Sequence, residues 1–462
     1  MIKKITLFSL AFLCLSQIYS QNITGKWYGY LDQFKLRIVF NISETKDGYK
    51  TSLDSPDQSS FGIPASKTII KENKLEIEIS VIGAQFKGQF EKDKITGTFS
   101  QVGTHIPLVL TRKEIKKQKS KRPQTPKKPY PYYEEEVVFL NKKANITLAG
   151  TLTLPKKEGK FPAVILISGS GPQNRNEEIL DHKPFLILSD YLTKKGIAVL
   201  RYDDRGFGAS TGNHSLANSA DFASDAESAF TFLKTRKEIV PTKIGLIGHS
   251  EGGLIAPMVA AKSKELGFIV LLAGVGTKGD KLLLAQQELI ARASGISEKD
   301  IENSKAINSS IFDLAQQFDN QDSLKINIRK QLEIAISDGK ITPPDGNSEQ
   351  FINRTTKQIT SPWMLYFLKC NPKESLNKVS CPVLAVNGAK DLQVPPKENL
   401  NAIKQALNDG GNKNITTTEY PNLNHLFQEC VTGLPSEYGL IEQTFSPKVM
   451  LDITEWILKE TK

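Results

Sequence analysis

The sequence predicts an α/β protein whose mostly parallel sheet is covered by helices on both faces and follows a small all-β domain. From residue 134 onward, continuous apolar runs alternate with amphipathic segments, a pattern typical of buried parallel strands between helices. Residues 21–112 contain short β-rich runs between turns, which is typical of a small antiparallel barrel or sandwich. Residues 277–378 show helical periodicity without strands and interrupt the alternation.

The first domain is predicted from six short strands. They are residues 35–42, 67–70, 75–79, 85–90, 95–99 and 107–110. Turn sequences such as 46–48 and 91–94 separate them. This domain is a candidate for contact with a glycan, a lipid or the helical segment 277–378. Trp27, Tyr28 and Tyr30 are candidates for a sugar-stacking surface, although aromatic side chains in a small barrel more often belong to its core.

The second domain is predicted to comprise residues 134–276 and 379–462. An opening hairpin (137–139 and 146–154) precedes strands at 163–167, 198–202, 244–247, 268–272, 383–386 and 416–419. Helices are expected at 184–195, 220–234, 254–264, 400–407 and 447–459. The helical segment 277–378 is predicted to be a cap over the sheet edge, and its alternative is a separate helical domain without contact to that edge.

The first twenty residues have the pattern of a secretory signal peptide. Lys3 and Lys4 precede an apolar run over residues 5–15, and Ser20 is a small residue before polar Gln21. The apolar run is too short to span a bilayer. We therefore expect an exported protein, periplasmic or extracellular, without a membrane span.

The formal net charge of +10 is concentrated outside the predicted domains. Residues 112–128 hold nine Lys or Arg and one Glu, and Lys3 and Lys4 belong to the leader. The Lys- and Pro-rich segment 113–133 is predicted to be a basic linker, because it cannot bury enough apolar surface to fold. A solvated linker is favoured over an anion-binding one, and nucleic acid is not an expected partner.

Cysteine usage indicates no metal centre and no dependence on disulfides. Cys370, Cys381 and Cys430 follow the leader, so at least one is unpaired. Export would permit a bridge between Cys370 and Cys381, and free thiols are the alternative. The spacing fits no zinc site, and we expect no cofactor.

The first motif that indicates catalysis is Gly248-His249-Ser250-Glu251-Gly252. It lies between a predicted strand and a predicted helix. A serine on such a tight turn is held out at the carboxyl edge of the sheet, and the turn admits only small residues two positions before and after it. The pattern predicts Ser250 as a nucleophile.

A serine hydroxyl needs a base, and the base needs a carboxylate to orient it. In this strand-turn-helix architecture the chain order is serine, acid, histidine, and His425 is the one histidine that fits it. Asp391 lies in the loop after the preceding strand, whereas Glu398 and Asp409 lie on or near the next helix. We expect His425 as the base and Asp391 as the acid.

Acyl transfer also requires two N–H groups directed at the developing oxyanion. One should come from the backbone of Glu251 at the start of the helix. The glycine-rich turn 168–172 follows an early strand, and Ser170 within it is our second donor. A structural turn without a ligand is the alternative.

The region from about residue 137 to the end resembles bacterial α/β-hydrolase esterases that carry a cap, and the first domain resembles β-rich domains found ahead of secreted members. One matching motif is the strand-turn-helix motif at residues 248–252, which we call the elbow. The others are residues 168–172, 182–185, 201–210 and 381–391. In this fold the Arg-Gly-x-Gly-x-Ser run organises a loop, so the resemblance implies structural roles for Asp204 and Arg205. Arg175 and His182 follow the oxyanion turn and are candidates for substrate contact or for loop stabilisation.

The resemblance and the motifs together predict a serine hydrolase that cleaves small or short-chain carboxylic esters, a small-molecule substrate class, through an acyl-enzyme. A serine peptidase of the prolyl-peptidase-like kind or a thioesterase remains an alternative, although the cap shows no obvious anchor for a substrate amino terminus. A binding protein with a decayed hydrolase core is the second alternative.

Overall fold

A computed structural model describes residues 23–32, 36–58, 60–101, 104–116, 121–341, 343 and 347–462. The chain divides into two compact units between residues 117 and 118. The predicted signal peptide, residues 1–20, lies outside the described residues. Across the described ranges, no helix is both long and apolar enough to cross a membrane.

The first unit is an antiparallel sheet around one apolar core. Its strands are β1 (Gly25–Leu31), β2 (Leu36–Thr45), β3 (Gly48–Ser55), β4 (Ser60–Pro64), β5 (Lys67–Lys71), β6 (Lys74–Ile79), β7 (Ala84–Glu91), β8 (Lys94–Gln101) and β9 (Thr104–Thr111). They lie in the order β4-β3-β2-β1-β9-β8-β7-β6-β5. All six predicted strands are present, whereas β1, β3 and β4 were not predicted. The predicted barrel-like all-β domain is confirmed.

Trp27 belongs to the core of this unit. Its side chain is fully buried, its Nε1 donates a 2.7 Å hydrogen bond to the carbonyl of Ile23, and its ring meets Phe90 edge-on at 5.3 Å. Tyr28 and Tyr30 lie half-buried on the opposite face of β1, because side chains alternate along a strand. Trp27 is therefore unavailable for stacking on a sugar.

The second unit contains an eight-stranded sheet whose first strands form the predicted hairpin. Its strands are β10 (Tyr133–Asn141), β11 (Ile146–Leu154), β12 (Phe161–Ile167), β13 (Ala198–Tyr202), β14 (Ile239–His249), β15 (Phe268–Leu272), β16 (Val383–Gly388) and β17 (Ile415–Tyr420). The order is β10-β11-β13-β12-β14-β15-β16-β17. β10, β11 and β13 pair antiparallel, and all pairs from β13 to β17 are parallel. The carboxyl ends of the parallel strands thus share one edge.

Helices cover both faces of this sheet, as the unbroken apolar strands require. They are α1 (Pro184–Lys194), α2 (Ser219–Lys234), α3 (Glu251–Ala260), α10 (Pro396–Asp409) and α11 (Pro447–Glu460). One core joins the sheet to α2, α3 and α10, and a second joins it to α1 and α11. α2 turns Ala223, Ala226 and Ala229 towards the sheet, and its small side chains allow a close approach. The predicted α/β fold is confirmed.

A helical insertion separates β15 from β16. It consists of α4 (Gly279–Ala293), α5 (Glu298–Gln317), α6 (Gln321–Ser337), α7 (Ser348–Ile359), α8 (Pro362–Lys369) and α9 (Lys373–Leu376). The insertion has its own apolar core, which includes Ile311, Phe312, Ile328 and Leu332. A further cluster joins Leu282 and Phe367 of the insertion to Leu254 of α3 and Val394. The insertion therefore contacts the helix that begins directly after Ser250.

Part of the predicted linker is attached to the second unit. The guanidinium of Arg122 donates to the carbonyls of Leu180 at 2.8 Å, Gly439 at 3.1 Å and Ile441 at 3.0 Å. Gln124 accepts hydrogen bonds from the amides of Thr444 and Phe445. Polar backbone contacts hold this segment, and composition alone does not reveal such contacts.

The cysteines of the described residues are free thiols. Cys370, Cys381 and Cys430 form no disulfide, which matches the second of the two arrangements that the sequence left open. Burial raises the pKa of Cys370 to about 11 and that of Cys381 to about 12. Both thiols are therefore weakly reactive at neutral pH, because the thiolate is the nucleophilic form.

Candidate active site

Ser250 stands on a tight turn between β14 and α3. Its backbone has φ 53° and ψ −114°, a conformation that side-chain-bearing residues seldom adopt. A Cβ atom on Gly248 would lie 2.0 Å from the carbonyl oxygen of Gly252, and one on Gly252 would lie 2.1 Å from that of Ile167. Both positions therefore require glycine, because neighbouring backbone fills the space. The turn presents Ser250 at the carboxyl edge of the sheet.

Asp391 and His425 lie together at this edge. Asp391 follows β16 and His425 follows β17, and the two strands are parallel neighbours. The Nδ1 atom of His425 and Oδ2 of Asp391 are 2.8 Å apart, and both side chains are buried. Oδ1 of Asp391 accepts hydrogen bonds from the amides of Gln393 at 2.8 Å and Val394 at 2.9 Å. The carboxylate is thus fixed by its own loop and orients the imidazole.

His249, which directly precedes Ser250, joins the loop of His425 to the turn that carries Ser250. Their ring centroids are 4.8 Å apart, and Nε2 of His249 donates to the carbonyl of His425 at 3.0 Å. Within the described part of the chain, no hydrogen bond involves Ser250 Oγ or His425 Nε2. Both atoms are therefore available to a bound molecule.

The turn after β12 lies beside Ser250. A Cβ on Gly169 would be 3.3 Å from the Cβ of Ser250. Asp204 holds both ends of the turn, because its Oδ1 accepts from Ser168 Oγ at 2.8 Å and its Oδ2 from the amide of Gln173 at 2.9 Å. Burial raises the pKa of Asp204 to about 8. The structural role expected for Asp204 agrees with these contacts.

The backbone amides of the two predicted oxyanion donors are available to a ligand. Ser170 is exposed in the turn after β12, and Glu251 is the first residue of α3. The amide of neither residue donates a hydrogen bond to another described residue. Backbone N–H groups at a helix start and in a glycine-rich turn are suited to bind an anion.

The Glu251 side chain joins α3 to the helical insertion. Its Oε1 accepts hydrogen bonds from Ser219 Oγ of α2 at 2.6 Å and from Trp363 Nε1 of α8 at 2.8 Å. Burial raises the pKa of this carboxyl, although both hydrogen bonds oppose the shift. No sequence signal pointed to Trp363, because the partner residues are far apart in the chain.

Arg175 stabilises a loop, which was the alternative to substrate contact. Its guanidinium donates to Asp203 Oδ2 at 2.8 Å, to Asp203 Oδ1 at 3.1 Å and to Thr151 Oγ1 at 2.8 Å, and it also pairs with Glu136. Its backbone amide donates to the same aspartate at 2.8 Å. Because the guanidinium is already hydrogen-bonded to Asp203 and Glu136, these contacts favour loop stabilisation over contact with substrate.

The contacts of His182 likewise favour the second of the two roles that the sequence left open, stabilisation of the loop. The side chain is 1% exposed; Nε2 donates to the carbonyl of Tyr438 at 2.8 Å, and Nδ1 accepts from Thr444 Oγ1 at 2.7 Å. Burial lowers the pKa of His182 to about 4, so the imidazole is neutral at physiological pH. A buried histidine with both nitrogens engaged cannot reach a substrate.

Sequence reasoning missed a buried pair beneath the elbow, Glu177 and His249. The Oε1 atom of Glu177 is 2.9 Å from Nδ1 of His249 and accepts the amide of Gly169 at 2.8 Å. Glu177 lies in a polar loop beside Glu178, and nothing in the sequence distinguishes the two. Within the described ranges, no cluster of His, Cys, Asp or Glu has the arrangement that a metal ion needs.

Comparisons with known proteins agree with the fold. Residues 184–326 match a family model described as serine aminopeptidase S33. The chain is 26% identical over 336 residues to esterase EstD of Thermotoga maritima, which covers 71% of this chain and 68% of that protein. It is 25% identical over 320 residues to an uncharacterized 31.7 kDa protein of Escherichia coli, which covers 68% of this chain and 96% of that one.

Among solved structures, the esterase Pf2001 of Pyrococcus furiosus aligns with a TM-score of 0.43 at 16% identity, over 74% of this chain and 98% of that one. The strand order of the second unit and the turn at Ser250, together with the sequence matches, show an α/β-hydrolase fold and a hydrolytic enzyme that is similar to bacterial esterases.

Proposed function

We propose that this enzyme hydrolyses carboxylic esters with small or short acyl groups, and that Ser250, His425 and Asp391 are its catalytic triad. The observation that carries the proposal is the Asp391–His425 hydrogen bond of 2.8 Å at the sheet edge where the elbow presents Ser250. The similarity to an esterase supports the ester as substrate class.

The reaction follows from these positions. Nε2 of His425 takes the proton of Ser250 Oγ as the oxygen attacks the ester carbonyl. The carbonyl oxygen becomes an oxyanion that accepts hydrogen bonds from the amides of Ser170 and Glu251. The bond to the alcohol oxygen then breaks, and His425 returns the proton to the leaving alcohol. In the second half of the reaction, His425 takes a proton from water as the water oxygen attacks the acyl-enzyme. The bond to Ser250 Oγ then breaks, His425 gives the proton to Oγ, and the carboxylic acid leaves.

Asp391 assists by fixing the imidazole and by stabilising its positive charge in the transition state. Since Nδ1 of His425 donates to Asp391, the lone pair of Nε2 is directed away from the carboxylate and can accept the serine proton. Two backbone hydrogen bonds hold the carboxylate in turn. The arrangement is that of a base whose tautomer is set before substrate binds.

The helical insertion supports the exclusion of water from the acyl-enzyme. An apolar cluster of Leu282, Phe367, Leu254, Val275 and Val394 joins it to α3 and to the loop of Asp391. All five side chains are buried, so the insertion packs against the elements that follow Ser250 and hold Asp391, where it shields a bound acyl group from water. We therefore assign the insertion the role of a cap.

The test is turnover of a chromogenic acetate or butyrate ester by wild type and by Ser250→Ala. We expect the variant to lose on the order of 10⁶-fold in kcat while its melting temperature stays that of a folded protein. Ser337→Ala, an exposed serine of the insertion, is the matched control and should keep wild-type turnover. Near wild-type hydrolysis by the Ser250 variant would refute the proposal.

A serine peptidase is the second candidate, since the matching family model is described as serine aminopeptidase S33. The same triad would serve it. Comparison of an aminoacyl anilide with a simple ester at equal concentration separates the two, and faster cleavage of the anilide would favour the peptidase. Labelling of Ser250 by a fluorophosphonate probe excludes an inactive binding protein, because the probe reacts only with an activated serine.

The leader pattern of residues 1–20 supports export, and we propose a periplasmic or extracellular location. Contact of the first unit with a glycan or a lipid has only the half-buried Tyr28 and Tyr30 in its support, since Trp27 is in the core. Activity of a variant lacking residues 21–112 on a soluble ester and on insoluble glycans tests whether this unit contributes to substrate binding.

A further inference from the structure

His249 is buried next to the nucleophile, and both of its ring nitrogens face hydrogen-bond acceptors. Nδ1 is 2.9 Å from Glu177 Oε1, and Nε2 is 3.0 Å from the carbonyl oxygen of His425. A neutral imidazole has one N–H and donates only once. A carbonyl oxygen never donates, so Nε2 must carry a proton. Nδ1 and Glu177 then share a second one.

The position of that second proton follows from the other partner of Glu177. The same Oε1 atom also accepts the amide of Gly169 at 2.8 Å, so two donors converge on one oxygen. An ionised carboxylate accepts two such hydrogen bonds more strongly than a protonated carboxyl does. The second proton therefore lies on Nδ1 of His249, which makes the imidazole a cation and Glu177 an anion.

The surroundings of His249 favour this charge state. Burial lowers its pKa, but the charge and hydrogen bond of Glu177, the carbonyl of His425 and the charge of Asp391 outweigh burial, so the pKa is raised above its ordinary value. The other rings in contact are those of His425 and Phe427. A cation and an anion, each less than a tenth exposed, thus form a compact pair under the elbow.

The pair also connects two parts of the proposed catalytic edge that come from distant parts of the chain. Glu177 holds the oxyanion turn through the amide of Gly169, and His249 holds the loop of the base through the carbonyl of His425. We propose that Glu177 and His249 form a buried ion pair that positions the oxyanion turn and the catalytic base around Ser250. The positioning role depends on the proposed triad, whereas the ion pair itself does not.

Substitution of Glu177 by glutamine separates this role from simple space-filling. Glutamine has the same shape, but its one acceptor oxygen lacks the charge that holds the second proton on His249. A neutral His249 loses one of its two hydrogen bonds, to residue 177 or to the carbonyl of His425. If the amide turns its NH₂ towards Nδ1, Gly169 loses its acceptor instead. E177Q therefore loosens one half of the site while the packing is kept.

The first measurement is the ¹⁵N NMR spectrum of the histidine side chains in resting wild-type enzyme, which has five histidines. His249 is assigned by the loss of its signals in H249Q. We expect both ring nitrogens of His249 to be protonated from pH 6 to 8 in wild type, whereas E177Q shows one protonated nitrogen at the upper end of this range. A wild-type His249 with one protonated nitrogen at pH 7 would overturn the ion pair.

The second measurement is steady-state hydrolysis of a short-chain ester. We expect E177Q to lower kcat by about 10²-fold with KM within about threefold, because a small misplacement of reacting groups slows chemistry more than binding. The matched control is E178Q, which removes the adjacent exposed carboxylate and should retain wild-type kcat. An unchanged kcat in folded E177Q would overturn the positioning role.

The two measurements also separate this inference from the proposed function. The spectrum is recorded without substrate, so it decides the ion pair even if E177Q does not fold. If wild type turned over no ester, the proposed function would fail, and with it the positioning role, while the protonation of His249 would still be decided.

Discussion

The strained backbone of Ser250 leads to the prediction that Ser250→Gly stabilises the protein relative to Ser250→Ala. At φ 53° and ψ −114°, the Cβ of any residue but glycine is crowded by its own backbone. Such a conformation costs on the order of 1–3 kcal/mol. Glycine removes this cost but has a more flexible unfolded chain, which takes back about 0.4–1 kcal/mol. We expect a net gain of about 0.5–2 kcal/mol over alanine.

Alanine is the matched reference because it keeps Cβ and lacks the hydroxyl, so both variants lack the proposed nucleophile and differ in backbone strain and in the flexibility of the unfolded chain. Differential scanning calorimetry of the two variants measures the difference in the transition of the unit that contains residue 250. That unit spans residues 118–462, and at about 2.1 cal/mol/K per residue its entropy of unfolding is roughly 0.7 kcal/mol/K, so a net gain of this size raises the melting temperature by about 1–3 °C. A glycine variant that melts at or below the alanine variant would refute the argument from strain.

Two further predictions concern the partners of Ser250. Asp391→Asn places an NH₂ group opposite Nδ1 of His425, which selects the wrong tautomer; we expect kcat to fall about 10⁴-fold at neutral pH with little change in melting temperature, and a loss under tenfold in an ester assay would contradict the triad. Trp363→Phe keeps the stacking on Phe367 at 5.0 Å but deprives the buried Glu251 of one hydrogen bond; we expect a loss of about 1–3 kcal/mol, measured by urea denaturation, and an unchanged midpoint would show that this contact does not hold the insertion.

Much of the catalytic edge was predictable because its signals are local. The turn at Ser250 has glycines whose spacing reflects backbone contacts within five residues and with the adjacent strand. Asp391 and His425 each follow an apolar strand, so their placement needed only the rule that parallel strands end at the same edge. In the structure Nδ1 of His425 and Oδ2 of Asp391 are 2.8 Å apart, and the catalytic roles of both residues stay a prediction.

The roles of other polar residues were not predictable, because their partners are distant in sequence. His182 bonds Thr444, which is 262 residues away, and His249 bonds Glu177, which is 72 residues away. A histidine in a polar loop has the same local pattern whether it meets a substrate or a protein hydroxyl. The strands β1, β3 and β4 were missed for a related reason, since β-strand pairing is decided by neighbours and not by propensity alone.

The segment around Arg122 changes where the catalytic part of this enzyme begins. Arg122 and Gln124 form hydrogen bonds with the stretch from Gly439 to Phe445. Within that stretch, Thr444 bonds His182, and the carbonyl of Gln443 accepts a hydrogen bond from Gln428. Gln428 in turn bonds Asn424, the neighbour of the proposed base. The segment that the sequence predicts to be a linker thus supports the loop that carries His425. A catalytic fragment that starts at residue 134 would lack these supporting contacts, whereas one that starts before residue 121 would keep them.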